Sequence, residues 1–476
     1  MVFSSPIFLF LFLPIVLGVY FLLPKALWNL WLLVASLLFY AWGERLFTLV
    51  MIASISMNYV FGLMLERFRG RPGMKATMVV ATVANLGLLI GYKYANFLVG
   101  IFNDVLLVTK TPPIHLDPVH LPIGISFFTF HALSYVIDVY RADVRGQKDF
   151  VKVALYVTLF PQLIAGPILR FHHVAHQFGI RSVNLLLFQS GVRRFLVGFG
   201  KKVLIANTLA GPADKIFALP ASTLSPGAAW LGIVCYTLQL YFDFSGYSDM
   251  AIGLGRMFGF QFPENFNYPY ISCSIKEFWR RWHISLSTWF RDYLYIPMGG
   301  NRVSLGRGYF NLLTVFFLCG LWHGASWSFV VWGLYHGLFL VLEGRGFLRR
   351  IETLPRVFGH LYASLVVMIG LVIFRADTLS HATRYLQGMT GIGHHNAENC
   401  AAMFLTLDIQ LALLAGIIGS TPLVAILARR ICALPERTTG RFTVECAVNV
   451  GLMAVFILAL ACLSAGTYNP FIYFRF

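Results

Sequence analysis

Long apolar runs alternate with short polar connections along most of this 476-residue chain. Segments at about 7–24, 28–43 and 45–65 read as three closely connected spans, each near the roughly 20 apolar residues that cross a bilayer as a helix. They end at Arg67-Phe68-Arg69-Gly70-Arg71-Pro72-Gly73-Met74-Lys75, the densest basic loop of the N-terminal half. A fourth span at about 76–99 leads to the loop 102–120, which carries prolines, two aspartates, His115 and His120. A fifth, at about 121–140, returns to Arg141-Ala142-Asp143-Val144-Arg145-Gly146-Gln147-Lys148. Basic loops stay on the cytoplasmic side, so both loops predict a periplasmic N-terminus and an external 102–120 loop.

The pattern then becomes irregular. Residues 150–169 are apolar but broken by Phe160-Pro161-Gln162 and Gly166-Pro167, which predicts a broken or re-entrant segment shielded by protein or a wet cavity. Residues 185–209 carry Arg193, Arg194, Lys201 and Lys202 inside an apolar pattern and suit an interface better than a simple span. A run at about 226–244 leads into Tyr241-Phe242-Asp243-Phe244-Ser245-Gly246-Tyr247-Ser248-Asp249, where a helix cap at Asp249 or loop solvation is as good an account as a site. Residues 271–297 read as an amphipathic or re-entrant helix, too polar to span. Spans follow at about 309–322, 326–343, 357–375, 405–428 and 443–464, and His394-His395 reads as a solvated pair in the polar loop 376–404. The expectation is an all-α polytopic membrane protein with about 11 transmembrane helices plus re-entrant or interfacial helices. It reads as one integral domain: N-terminal spans to 140, a core over 150–375, C-terminal spans over 376–464 and an aromatic tail, 465–476.

Composition agrees. The chain is 58% hydrophobic and 12% charged, against about 25% charged in a soluble domain, and its mean hydropathy is +0.71. The net charge of +17 would suggest nucleic acid in a soluble protein, but the cations cluster between apolar runs and face membrane lipid headgroups instead. Seven scattered cysteines form no CxxC pair, against a disulfide framework or a zinc site. The N-terminus lacks a basic n-region and a cleavage site, so its first apolar run is read as a retained span. No internal repeat is visible, which weakens a transporter built on paired halves.

Candidate chemistry is concentrated between Phe262 and His336. Charged and histidine side chains are expensive near lipid, so their default reading there is functional. His283, His323 and His336 fall in this one stretch, and glycines flank His323 in Gly320-Leu321-Trp322-His323-Gly324, allowing close approach or a sharp turn. Imidazole suits proton transfer near neutral pH, although a lone histidine on an apolar helix can equally be a satisfied core residue. No GxSxG elbow, HExxH helix, P-loop or GxGxxG is present, so a metal-free, histidine-centred reaction without a bound cofactor is the simplest enzyme hypothesis. Arg280, Arg281 and Arg291 could bind an anionic donor such as a pyrophosphate, or could anchor to anionic lipid heads.

The ordered motifs resemble the membrane-bound O-acyltransferases, and within them the alginate O-acetyltransferase branch. The resemblance rests on Tyr268-Pro269-Tyr270, Glu277-Phe278-Trp279-Arg280-Arg281-Trp282-His283, Tyr295-Ile296-Pro297, Leu321-Trp322-His323-Gly324 and Trp332-Gly333-Leu334-Tyr335-His336-Gly337. It extends to Met1-Val2-Phe3-Ser4-Ser5, to the motif containing Asp243 and to the last six residues, whereas 376–465 matches only in hydrophobic pattern. Met298 stands where a leucine is more usual. The resemblance implies a helical bundle with a narrow central tunnel in the bacterial inner membrane. By position it makes His323 the catalytic histidine and His283 the second active-site histidine, with Asp243, Trp322 and His336 as further core candidates. It also implies a cytoplasmic acetyl-CoA donor substrate, an exported polysaccharide acceptor and a periplasmic partner protein that finishes the transfer.

On that reading His323 is the general base toward an attacking hydroxyl, and His283 stabilises the oxyanion or holds the donor. Tyr473 is a candidate acyl relay, because a companion protein of the similar D-alanylation system ends in a like aromatic motif; an interfacial aromatic anchor is the simpler account. Competing readings are transfer of a D-alanyl or fatty acyl group, a transporter, and a non-catalytic scaffold.

Overall fold

The computed structural model describes residues 1–391, 400–432, 439–466 and Tyr468. The described residues are helical with no strands, and they fall into two compact units. The first comprises residues 1–188, 254–263 and 324–326; the second comprises 189–253, 264–323 and 327–476. Among the described residues, six helices are long and apolar enough to cross a membrane: Phe47–Arg67, Gly73–Val108, Leu305–His323, Trp327–Glu352, Arg356–Arg375 and Thr443–Ser464. Shorter apolar helices cover Phe8–Leu22, Lys25–Ala41, Ile125–Tyr140 and Leu407–Gly419.

The first unit holds α1 (Leu13–Leu22), α2 (Trp28–Ala41), α3 (Phe47–Arg67), α4 (Gly73–Leu89), α5 (Ala95–Val108), α6 (Ile125–Tyr140), α7 (Phe150–Thr158), and the short α8 (Phe160–Leu163) and α9 (Phe171–Val174). Helix α6 packs on α3 and α4, and α7 on α2. Phe3, Phe8, Phe12, Phe39 and Phe160 cluster at ring-centroid distances of 4.9–6.5 Å. Buried amides need partners, and Asn58 and Asn85 supply each other across α3 and α4 at 2.9 and 2.8 Å. The expected break near Phe160-Pro161 is present between α7 and α8, and both sides are buried. The polar start expected at residue 102 is instead helical, because α4 and α5 form one rod from Gly73 to Val108.

The second unit contains most of α10 (Leu185–Gly200), then α11 (Asn207–Phe217), most of α12 (Pro226–Met257), α13 (Ile275–Arg281), α14 (Ile284–Phe290), α15 (Leu305–His323), α16 (Trp327–Leu342), α17 (Leu348–Glu352), α18 (Arg356–Arg375), α19 (Leu379–Thr390), α20 (Leu407–Gly419), α21 (Leu423–Cys432) and α22 (Thr439–Ser464). Two expectations are corrected here. Asp249 is neither a cap nor in a loop: α12 runs through it, and Arg194 and Lys201 bond its carboxylate at 2.8 and 2.7 Å. Of the cations in 185–209, Lys202 is not left to an interface, since it is buried and pairs with buried Asp243 at 2.6 Å. Glycine brings these helices close enough: a Cβ on Gly198 would lie 2.5 Å from the Gly246 carbonyl oxygen. Small residues at a crossing are the usual means of packing helices where water supplies no hydrophobic drive.

The α15–α16 hairpin positions the site. A Cβ on Gly320 would approach the Phe329 oxygen to 2.3 Å, and one on Gly333 the Phe316 oxygen to 2.2 Å. These glycines let the two backbones touch and hold His323, the last residue of α15, against Trp332 of α16. Helix α18 packs on α16, and α13 packs on both.

Candidate active site

Residues 271–297 are not one helix. Ser274 caps α13 by accepting the Glu277 N–H at 3.0 Å, and the Glu277 side chain accepts the Cys273 N–H at 2.9 Å, a variant of the reciprocal capping box. Buried Glu343 accepts the Ile275 and Lys276 N–H groups at 2.6 and 2.9 Å, satisfying the remaining donors of that turn. Burial opposes ionisation of Glu277, but the Cys273 N–H and Arg281 outweigh it and hold the carboxyl below its usual range. The segment breaks at Trp282, because His283 adopts a left-handed conformation with φ 42° and ψ 55°. A non-glycine residue rarely does so without support.

Asn265 supplies that support, and it went unassigned in the sequence. Its carbonyl accepts the Ile284 N–H at 2.9 Å. Its Oδ1 faces the Ser285 N–H at 3.2 Å, the Ser285 hydroxyl at 2.9 Å and His283 Nδ1 at 3.2 Å. A backbone N–H can only donate, so the atom facing Ser285 is an oxygen and His283 Nδ1 must carry its proton. His283 Nε2 is therefore the lone-pair nitrogen, and it has no hydrogen-bond partner among the described residues. Burial pushes the imidazole pKa down to about 3, so the ring is neutral at physiological pH.

His323 is 7% exposed and lies among aromatic rings: Trp322 at 4.9 Å, Trp332 at 4.9 Å and Phe374 at 5.3 Å, all near perpendicular. It shares a narrow cavity of about 30 Å³ with His336, Trp279, Trp332, Tyr270 and Phe374, room for about one water. His336 is buried 5.2 Å from both Trp279 and Trp332, and it is seated by Gly370, where a Cβ would come within 2.8 Å of its Nε2. The indole N–H groups of Trp279 and Trp332 are buried without an acceptor among the described residues. Such orphaned donors call for an explanation. His283 does not line this cavity. Trp322 stands between the two histidines, 6.0 Å from the His283 ring and 4.9 Å from the His323 ring.

A larger hollow of about 430 Å³ lies on the other face of Trp279, with Lys276, Arg280, Arg291, Ser287, Thr288 and Tyr295 among its lining groups. Trp279 is the residue common to this hollow and the histidine cavity. The three candidate arginines differ. Arg281 bonds Glu277 and the Asn267 carbonyl, and lies outside both hollows. Arg291 is bidentate on Asp292 at 2.5 and 3.0 Å. Arg280 and Lys276 are exposed and make no ion pair among the described residues. Asp243 belongs to the ion pair with Lys202, away from the cavity lining. Tyr473 and the His394-His395 pair lie outside the described residues.

The sequence is similar to proteins already known. The sequence profile of the membrane-bound O-acyltransferase family matches residues 119–374, more than half of the chain. A protein named "Probable alginate O-acetylase AlgI" from Azotobacter vinelandii is 42% identical over 100% of both chains. One of the same name from Pseudomonas aeruginosa is 48% identical over 83% of this chain and 75% of its own. A Helicobacter pylori protein named "Peptidoglycan O-acetyltransferase" is 36% identical over 82% of this chain and 80% of its own.

Proposed function

We infer the reaction from one premise: the chain belongs to the membrane-bound O-acyltransferase family and is a multi-pass membrane O-acyltransferase. The reading is transfer of an acetyl group from cytoplasmic acetyl-CoA toward a hydroxyl of an exported, alginate-like polysaccharide at the bacterial inner membrane. The observation that supports it best is the single shared wall, Trp279, between a hollow lined by cations and the histidine cavity.

Each part follows from its chemistry. Lys276, Arg280 and Arg291 suit the phosphates of a nucleotide-linked thioester, and the apolar interior beyond them suits the arm that carries the acetyl group. A 30 Å³ cavity is too small for the reacting groups, so its lining must rearrange when the donor enters, and Trp279, the wall shared with the cationic hollow, is the side chain placed to move. His323 takes the proton from the attacking hydroxyl, the oxygen adds to the thioester carbonyl, and a tetrahedral oxyanion forms. The C–S bond then breaks and the leaving thiolate takes the proton back from His323. The orphaned indole N–H groups of Trp279 and Trp332 are suited to receive the oxyanion. His283 presents a lone pair at Nε2, so it accepts a hydrogen bond and suits holding a hydroxyl or amide of a substrate. Oxyanion stabilisation would need a donor at that atom.

Tyr473 remains the candidate external carrier of the acetyl group, with a periplasmic partner completing delivery to the polymer. The test is isotope-labelled acetyl-CoA supplied to inside-out vesicles. Label must reach Tyr473, a partner or a glycan on the luminal side. Label that stays as acetyl-CoA, or that moves only as free acetate in step with solute uptake, would favour the transporter reading.

A further inference from the structure

A side cavity of about 210 Å³ adjoins the His323 cavity, which holds only about 30 Å³. Tyr270, Phe278 and Val367 line both and are the wall they share. The rest of the side cavity is formed by Thr237 of α12, by Ala363, Ser364 and Met368 of α18, and by Pro269 and Ser272. None of these residues carries a charge, and hydroxyls supply the polarity. The Ser272 hydroxyl is spent on the Pro269 carbonyl at 2.7 Å, and the Tyr270 hydroxyl on the Thr237 carbonyl at 2.7 Å. Thr237 Oγ1 is different: the residue is 8% exposed, and this oxygen has no hydrogen-bond partner among the described residues. A buried hydroxyl left unmet costs stability until something polar reaches it. Thr237 stands three residues before Leu240, which lines the histidine cavity from the same helix, and side chains so spaced lie about 5–6 Å apart.

We propose that the side cavity receives the tail of a short hydroxyacyl group, and that the protein transfers a four-carbon 3-hydroxyacyl group from its coenzyme A thioester as well as acetyl. The proposal rests on the acyl-transfer reading of the His323 cavity and extends its substrate class. With the acyl carbonyl at His323, an acetyl methyl leaves the side cavity unfilled. At bond lengths of about 1.5 Å, a 3-hydroxyl stands about 4 Å from the carbonyl carbon. Adding a hydrogen bond of about 2.8 Å covers the separation between Thr237 and the histidine cavity. The ligand hydroxyl then meets the one lining hydroxyl that is buried and unpartnered among the described residues. A charged acyl group, aminoacyl or dicarboxylic, finds no counter-ion in this lining. A plain alkyl chain leaves Thr237 Oγ1 unmet. The chemistry is that of acetyl transfer: the acceptor oxygen bonds to the acyl carbon, the C–S bond breaks, and the proton passes through His323 to the leaving thiolate.

Donor competition tests this. Proteoliposomes containing the full-length protein would be given acetyl-CoA, butyryl-CoA or 3-hydroxybutyryl-CoA, each labelled in the acyl group, and initial rates of label transfer compared. Wild type should transfer 3-hydroxybutyryl, and faster than butyryl. Thr237→Val keeps the shape and removes the hydroxyl, so it should lower the 3-hydroxybutyryl-to-butyryl ratio about tenfold or more, and Thr237→Ser should retain that ratio. Ser364→Leu fills the cavity from a half-buried position on α18 and should lower the ratio of either four-carbon donor to acetyl about tenfold. A merely structural role would move all three donors together. Acetyl transfer without 3-hydroxybutyryl transfer, or donor ratios that Thr237→Val and Ser364→Leu leave unchanged, would overturn the proposal. Transfer of 3-hydroxybutyryl without acetyl would instead sink the acetyl reading and leave the role of the side cavity standing.

Discussion

Replacing Asn265 tests whether the site depends on a fixed histidine tautomer. Its Oδ1 takes three donors, from Ser285 N, Ser285 Oγ and His283 Nδ1, at 2.9–3.2 Å. Asn265→Ala leaves buried donors without an acceptor, at about 1–3 kcal/mol each, and removes what holds His283 in its left-handed conformation. A loss of misplaced general acid–base or positioning function of about 10²–10⁴-fold in acetyl transfer is expected. Asn265→Asp is the sharper perturbation. It keeps both oxygens in place and gives up only the Nδ2 group, which has no partner among the described residues. The new carboxylate would raise the His283 pKa from its wild-type value of about 3. Below the raised value the ring is an imidazolium and Nε2 has lost its lone pair. Activity of Asn265→Asp should therefore fall as pH drops through that value and recover at higher pH, whereas wild type shows no such limb from His283. The assay is initial acetyl transfer in proteoliposomes from pH 5.5 to about 9, a window chosen to straddle an ordinary imidazole pKa. Identical pH profiles for wild type and Asn265→Asp, together with full activity of Asn265→Ala, would refute the tautomer argument.

Other perturbations have equally definite outcomes. Gly370→Ala puts a Cβ 2.8 Å from His336 Nε2; it should displace that ring and cut transfer about tenfold or more while costing about 1–3 kcal/mol of overpacking, read by activity and thermal melting together. Glu343→Ala removes the acceptor of the Ile275 and Lys276 N–H groups and should raise the KM for acetyl-CoA more than it lowers kcat, because it loosens the helix that carries Lys276 and Arg280. Tyr473→Phe should abolish labelled acetyl on the chain itself and, with it, donor-dependent thiol release in the absence of added acceptor, measured with a thiol reagent; wild-type thiol release from the variant would refute the relay.

Much of the architecture was legible because its signals are local. Apolar runs marked α2, α3, α15, α16 and α18, and Phe160-Pro161 marked the break between α7 and α8. The Glu277–Arg281 pair could be read from i,i+4 spacing alone. The failures share a cause: they depend on contacts far apart in sequence. The pattern of 271–297 looked like one amphipathic helix because nothing in its composition shows that Asn265 holds His283 left-handed. Asp249 looked like a cap because its partners, Arg194 and Lys201, are 55 and 48 residues away. The glycines around His323 stand out in the sequence, but the role of Gly370 depends on α18 meeting His336, which no periodicity reveals.

The central claim is that His323 moves the proton in acetyl transfer, and single-turnover kinetics of His323→Ala test it most directly. Labelled acetyl-CoA would be mixed with purified wild type or variant in proteoliposomes, with donor binding and acetyl transfer read separately. The account predicts unchanged donor binding, since the cations lie in the hollow beyond Trp279, and a transfer rate reduced about 10²-fold or more. A folded His323→Ala protein that transfers acetyl at the wild-type rate would contradict it.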